Sequence, residues 1–376
     1  MARLPIGLAC ALALAGCATG LNPTSSPAAS PEPSTGVSPS PGPPSPSPVY
    51  GWRALPPEAT PRPARLYDIA TWNGTLFAVG ADEDANGAAL WSSPTGEAWK
   101  SSSAQLGGQV LLSVAVGDPG IVVVGPTQTG AVAFSSGDGV RWARHLLPGS
   151  APGSSALAVA WGQGRFVAVG SGGDPNAVAS WTSTDGFSWV PLSIVEEGVG
   201  AELHAVAAGP AGFVVAGSEP DHGGHWTFAV WTSADGVLWQ KPDALAEPSV
   251  DVSRIRYVGG HFLLSRAGGQ VWASNDLRTW TETTVPGFGD IFDFASILGG
   301  IVAVGRAGDA SESGVVALTD NDLKTWTVLP GAGLPGGFSA SAITLSPDGR
   351  LLVGVGSGGS PGSVVVFNDA ARLSKG

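Results

Sequence analysis

FVAVG (166–170) followed by WTSTDGFSW (181–189) is the stretch that decides the fold, and it returns as FVVAG (213–217) with WTSADGVLW (231–239). In each copy a short, β-branched apolar run ends in Gly, and a tight turn then leads to a Trp. The apolar run recurs seven times, as LFAVG (76–80), IVVVG (121–125), FVAVG (166–170), FVVAG (213–217), FLLSR (262–266), IVAVG (301–305) and LVGVG (352–356). Such runs read as fully buried strands bounded by turns. Before each lies another strand, for example Tyr67–Thr71 or Leu203–Ala207, with Asn73-Gly74 or Gly259-Gly260 supplying the tight turn between them. Several short strands in a unit of forty-odd residues are the signature of radial repetition, the β-propeller.

The tryptophans that close the units are Trp99, Trp142, Trp189, Trp239, Trp280 and Trp326. Their uneven spacing belongs to loops, which tolerate insertions. The last unit has Leu373 where a Trp is expected, and a surplus Trp52 lies in VYGWRAL (49–55). The N-terminal segment is therefore expected to supply the outer strand of the last unit and remove an exposed edge. With 56 Gly, 31 Pro and no amphipathic helical window, the expected fold is all-β. It is a seven-bladed β-propeller of four-stranded antiparallel blades, rather than six or eight, closed by the N-terminal strand.

The turn before each Trp reads Ser-x-Asp-Gly-x-x-Trp in its best copies, around Asp138, Asp185 and Asp235. Around Asp276 and Asp322 the Gly is replaced by Leu, and the first copy has Thr95-Gly96 instead. This pattern resembles the Asp-box, or bacterial neuraminidase repeat, of sialidase-like propellers, with one residue fewer between Asp and Gly. The physics of the turn points to a structural role. An Asp side chain accepts backbone N–H groups within its own turn, and Gly permits positive φ. The Trp then contributes buried area between sheets. One Asp per turn falls short of the oxygen cluster a calcium loop needs.

MARLPIGLACALALAGC (1–17) has a basic residue, Arg3, then an apolar stretch too short to span a bilayer. Its end, Leu14-Ala15-Gly16-Cys17, resembles a bacterial lipobox, which implies cleavage before Cys17 and lipidation of that residue. Cys10 is the only other cysteine, so the mature domain is expected to hold together without disulfides. Residues 18–48 are mostly Pro, Ser, Thr, Gly and Ala, a composition that cannot offset the entropy of ordering. The expected organisation is a signal peptide over 1–16, a lipidated Cys and Pro/Ser-rich stalk over 17–48, and the propeller over 49–376. The protein is expected in the cell envelope, anchored by lipid on the extracytoplasmic side, as a monomer.

Alternation of strands places the first-to-second and third-to-fourth turns of each unit on one face. The remaining loops lie on the other, where propeller ligands meet the channel mouth. Candidate ligand-face residues are Arg65, Tyr67, Asp82, Asp84, His222, His225, Arg266 and Arg306. His222 and His225 with Asp221 have zinc-compatible chemistry but match no ligand spacing, so no metal or other cofactor is expected. With 18 basic against 30 acidic residues and a net charge of −12, the chain has no electrostatic footprint for nucleic acid. The expected function is a non-catalytic binding module for a protein, peptide or glycan, with no catalytic residue assigned. The alternative implied by the resemblance is a sialidase-like glycoside hydrolase, which needs converging arginines and a Tyr nucleophile.

Overall fold

The computed structural model describes residues 51–368 apart from 62–63, 83–86, 104–105, 107–109, 173–178, 196–200, 222, 243–251, 309–313, 321, 330–333, 335–337 and 358–363. Within these, regular structure is almost entirely strand.

β1 (Trp52–Ala54) precedes the first complete blade, formed by β2 (Ala64–Trp72), β3 (Thr75–Asp82), β4 (Gly87–Ser93) and β5 (Lys100–Ser101). Then come β6 (Ser113–Gly117), β7 (Gly120–Thr127), β8 (Gly130–Ser136) and β9 (Ala143–Leu146). These are followed by β10 (Ser155–Gly162), β11 (Arg165–Ser171), β12 (Ser180–Ser183) and β13 (Val190–Pro191). A three-stranded blade contains β14 (Glu202–Gly209), β15 (Gly212–Pro220) and β16 (Trp226–Ser233). The next blade contains β17 (Val252–Val258), β18 (His261–Arg266), β19 (Gln270–Ser274) and β20 (Thr281–Thr284). Another contains β21 (Phe288–Ile297), β22 (Gly300–Ala307), β23 (Gly314–Asp320) and β24 (Trp326–Val328). Last come β25 (Ser339–Leu345), β26 (Leu351–Ser357) and β27 (Val364–Asn368).

β1 pairs antiparallel with β27, Trp52 opposite Phe367 and Ala54 opposite Val365, and Leu55 N–H donates to Val364 O. The ring is thus closed by chain from its two ends, as the surplus Trp52 implies.

The expectation of seven separate four-stranded blades is corrected by the hydrogen bonding. Among the described residues five sheets stand as discrete blades, four of them four-stranded and one three-stranded, and the strands β6 to β13 form a single eight-stranded sheet. That sheet is joined where Ser155 of β10 pairs with Pro126 of β7. The connection before β10 is compact. Leu147 N–H donates to Ala131 O, Ser150 N–H to Leu147 O and Ser154 N–H to Ala151 O, and Ser154 Oγ donates to Gly172 O. These turns hold Ser155 against the end of β7. The three-stranded blade has a different cause. Among the described residues its fourth strand is one bridge, Thr232 with Gln240, and Pro242, two residues on, has no N–H to offer the ladder. Counting tryptophans counts sequence repeats, whereas hydrogen bonds decide where a sheet ends.

The core lies between successive sheets and between the two halves of the eight-stranded one. Phe166, Trp181 and Trp189 pack with Val122 and Val124 across β6–β13, and Phe213 and Trp231 pack with Val167 and Val169 on the next seam. Each sheet therefore contributes apolar residues on both faces, which is why the second strands are continuous apolar runs rather than alternating ones.

Candidate functional site

The innermost strands share a device. Each of β2, β10, β14, β17, β21 and β25 has a register shift against its partner, after Leu66, Ala156, Leu203, Val252, Ile291 and Ala340 respectively. A bulge of this kind turns a side chain out of the ladder and re-aims it. The residue after the bulge can then reach the next sheet. Asp68 Oδ2 accepts Val114 N–H at 3.1 Å and Asp293 Oδ2 accepts Ile343 N–H at 2.9 Å; Ser113 of β6, a strand in unbroken register, makes a like bond within the eight-stranded sheet, its Oγ accepting Val159 N–H at 3.3 Å.

Two of these positions carry buried carboxylates, and β17 answers them with Arg254 and Arg256. Residues two apart in a strand share a face, so both guanidinium groups point the same way. Arg254 Nε donates to Asp293 Oδ1 at 3.1 Å, and its Nη2 donates to Asp68 Oδ1 at 3.2 Å and to Tyr67 O at 3.3 Å. Arg256 Nε donates to Asp293 Oδ1 at 2.7 Å, and its Nη2 donates to Asp293 Oδ2 and Asp68 Oδ1. Ser113 Oγ also donates to Asp68 Oδ2 at 2.9 Å. Both carboxylates are fully sealed from solvent, while Arg254 and Arg256 retain side-chain exposures of 18% and 26%. Burial pushes the Asp68 carboxyl up, but Arg256, Arg254 and the Val114 N–H outweigh it and hold Asp68 below the usual carboxylate range. Burial likewise opposes the charge of Arg256, and Asp293 and Asp68 more than compensate, raising its pKa. Two cations meet two anions, so the cluster is neutral and satisfied from within.

None of Arg254, Arg256, Asp68 and Asp293 is among the sequence-level candidates. A signal was present. VSRIRYV (252–258) places two arginines on one face of an inner strand, at positions where LAVAWG (157–162) is apolar. Their partners lie on strands distant in sequence, and only the ring brings them together.

The Asp turns repeat one hydrogen-bond pattern. Ser183 Oγ donates to Asp185 Oδ1 and accepts Gly186 N–H at 2.9 Å. Asp185 Oδ1 accepts Phe187 N–H at 2.8 Å and Ser188 N–H at 2.7 Å. Asp138, Asp235 and Asp276 do the same in their own turns. These N–H groups hold Asp185 and Asp276 down to about 2. At the β23–β24 turn Asp320 takes the place of Ser, and its side-chain hydrogen bond to Asp322 raises it and lowers Asp322. A cleft of about 640 Å³ lies on this face, lined by His261, Asp276, Thr279, Glu282, Asp322 and Lys324.

On the opposite face the candidates are spread over several sheets. Arg65, Tyr67 and Asp82 lie on the β2–β3 pair, with Arg65 opposite Ala81 and Asp82 opposite Ala64. Arg306 of β22 pairs with Asp290 of β21. Asp221 Oδ1 accepts the N–H groups of Gly223 and His225, each at 2.8 Å, in the turn between β15 and β16, and His225 Nδ1 is 3.4 Å from Asp221 Oδ2. Arg266 is buried at the end of β18, its guanidinium 4.4 Å from the Trp272 ring centre. Asp84, His222 and Cys17 lie outside the described residues. Tyr257, which the hydrolase alternative could use as a nucleophile, packs on Phe262 with ring centres 4.8 Å apart. Among the described residues no group of three or more His, Cys, Asp or Glu side chains could hold a metal ion, and no helix is long and apolar enough to cross a membrane.

No protein-family model matches the chain, and no curated protein matches it. Solved structures do. YCF48 bound to D1 peptide is 15% identical with a TM-score of 0.55, over 85% of this chain and 96% of that one. The WD40 β-propeller domain of Doa1 is 14% identical with a TM-score of 0.51, over 86% and 98%. Puromycin hydrolase is 15% identical with a TM-score of 0.54, over 86% of this chain and 55% of the hydrolase. At these identities the likeness establishes the fold class, a β-propeller, and that alone.

Proposed function

We propose that this chain is a non-catalytic binding module. Its ligand is a protein or peptide, held on the face opposite the Asp turns, and the propeller is carried outside a bacterial cytoplasmic membrane on a Pro/Ser-rich stalk from lipidated Cys17. The observation that carries the reading is the inner-strand cluster. Asp68 and Asp293 have their oxygens filled by Arg254, Arg256 and backbone N–H groups, and Asp68 is held ionised. A carboxylate so engaged neither donates a proton nor attacks a substrate; it fastens strands. Recognition is thereby left to the loops, where sequence varies and rigid strands hold the ends. YCF48, a propeller of similar fold, is bound to a peptide in its structure, which agrees with this use. The Asp turns, with their Ser and backbone partners, are proposed as structural.

A photo-crosslinking residue placed at Ala267 on the ligand face, and another at Val140 in an Asp turn, test the proposal in cells expressing the full chain. A partner crosslinked from 267 and not from 140 supports it. Equal capture from both faces, or capture from 140 alone, overturns it. The anchor is tested separately by Cys17→Ser, which is expected to abolish lipid labelling and membrane association; a variant still labelled and membrane-bound overturns that part.

A further inference from the structure

Arg266 breaks a rule that the rest of the ring keeps. At the end of each second strand, the residue opposite the bulge of the inner strand is glycine: Gly80 faces Leu66, Gly170 faces Ala156, Gly217 faces Leu203, Gly305 faces Ile291 and Gly356 faces Ala340. The bulge aims a carbonyl at that position. A Cβ on Gly80 would lie 1.9 Å from Arg65 O, and one on Gly170 1.8 Å from Ser155 O. In the β17–β20 sheet the residue in this register, opposite Val252, is Arg266.

The side chain is also unusual in what it touches. Arg266 is 6% exposed, and its Nε is sealed without a hydrogen-bond acceptor among the described residues. Its one described partner is the face of Trp272. Stacking a guanidinium on an indole is worth about 0.5–2 kcal/mol, less than the several kcal/mol that desolvating an uncompensated charge costs. The neighbouring Arg254, Arg256 and Arg306 each have a carboxylate; Arg266 has none among the described residues.

The ring it stacks on is one of an aromatic pair. Phe228 of β16 meets Trp272 edge-on, with ring centres 6.0 Å apart, on the seam between two sheets. Trp226 is two residues before Phe228 on the same strand and therefore on the same face. It stands at the ligand-face end of that strand, opposite Pro220, with 49% of its surface exposed. An exposed indole thus lies on the strand face that turns toward this seam, and the guanidinium stacked on Trp272 has no carboxylate among the described residues.

We infer that Arg266 and Trp226 form a carboxylate-binding subsite for a peptide ligand, with the guanidinium fork taking the carboxylate and the indole packing on the apolar portion next to it. A planar fork matches carboxylate geometry, and pairing relieves the buried charge. The carboxylate can come from a peptide C-terminus or from an acidic side chain. The inference rests on the binding-module reading above and gives it a chemistry.

The test uses the full chain labelled with 5-fluorotryptophan, with the resonances of positions 226 and 272 assigned by Trp226→Phe and Trp272→Phe. The probes are hippurate, which mimics a C-terminus, and a blocked, amidated aspartyl peptide, which offers only a side-chain carboxylate; hippuramide lacks the carboxylate. We expect at least one carboxylate probe to shift both resonances, the more effective one naming the source, and hippuramide to bind at least tenfold more weakly. Arg266→Gly, which restores the glycine of the register, is expected to weaken carboxylate binding at least tenfold, and Arg266→Gln is the alternative if the first fails to unfold cooperatively. Equal response to hippurate and hippuramide, unchanged binding by the variants, or no shift with either carboxylate overturns the subsite. A response to N-acetylneuraminic acid with none to the two peptide probes overturns the peptide assignment. If the subsite fails while crosslinking still captures a partner at Ala267, the binding-module reading stands without it.

Discussion

Arg256 on β17 donates to Asp68 on β2, a residue 188 positions earlier in the chain, and the same guanidinium binds Asp293 on β21. One side chain thus ties together three inner strands of the ring. Its removal leaves two sealed carboxylates short of a partner, which is far more damaging than losing the pair as a whole. Arg256→Ala is expected to destabilise the protein by about 3–5 kcal/mol, read as a lowered urea midpoint. Arg141→Ala, at a surface pair with Asp138 in which the arginine is 89% exposed, is the control and should barely move it. Comparable losses from both would mean that the inner cluster is not a special fastening.

The same cluster sets part of the acid response. The folded-state pKa of Asp68 lies below its ordinary value, so the carboxylate contributes stability that is fully present above about pH 4 and is lost as pH falls through the depressed folded value. Asp68→Asn removes that titration. In urea titrations from pH 7 down to pH 3, the stability gap between the unmodified chain and Asp68→Asn should be constant at first and then narrow with acid. The Asp turns titrate in both proteins and cancel in the difference. A gap that stays constant to pH 3 would sink this account.

How much was legible beforehand follows from which interactions are local. Strand runs and turns are short-range patterns, and the chain adopts them; the closing strand pairs far along the chain, Trp52 with Phe367, but the surplus Trp marks it. Sheet membership is not local. It depends on a single pairing, Ser155 with Pro126, so the count of tryptophans overstated the number of separate blades. The inner cluster was hidden for the same reason: Asp68 and Arg254 become neighbours only when the ring closes. Arg266 was visible as an arginine at a strand end. That it occupies a glycine register, and lacks an acceptor among the described residues, required the bulge at Val252 and the position of Trp272.

Leu277 poses a conflict that magnitudes resolve. It holds a left-handed backbone, φ 60, where the sister turns use Gly139, Gly186 and Gly236. Strain of that kind costs about 1–2 kcal/mol. Yet Leu277 is buried against Phe262, Leu264 and Trp272, and deleting a buried Leu side chain costs about 2–5 kcal/mol. Packing therefore wins at the middle of both ranges, and Leu277→Gly should lose about 2 kcal/mol, the difference of the mid-range terms. An increase in thermal midpoint for Leu277→Gly would show instead that backbone strain dominates this turn.

The glycine register gives a last and sharper comparison. At Gly170 an added methyl meets the Ser155 carbonyl at 1.8 Å, and a backbone oxygen inside a paired bulge has little freedom to retreat. Gly170→Ala should therefore cost about 3 kcal/mol, the upper end of ordinary overpacking. In the β17–β20 sheet the exchange runs the other way. Arg266→Gly loses a stacking contact of about 0.5–2 kcal/mol and adds backbone freedom to the unfolded chain worth about 0.5–1 kcal/mol. It also removes a buried charge that has no carboxylate among the described residues, so it should leave stability within about 1 kcal/mol of the parent. The two variants, compared by urea midpoint at matched slope, separate glycine kept for space from arginine kept for its charge. Should Gly170→Ala unfold alongside the parent, close approach of the carbonyl is not what demands glycine; should Arg266→Gly prove as costly as Gly170→Ala, the arginine is holding the seam rather than waiting for a ligand.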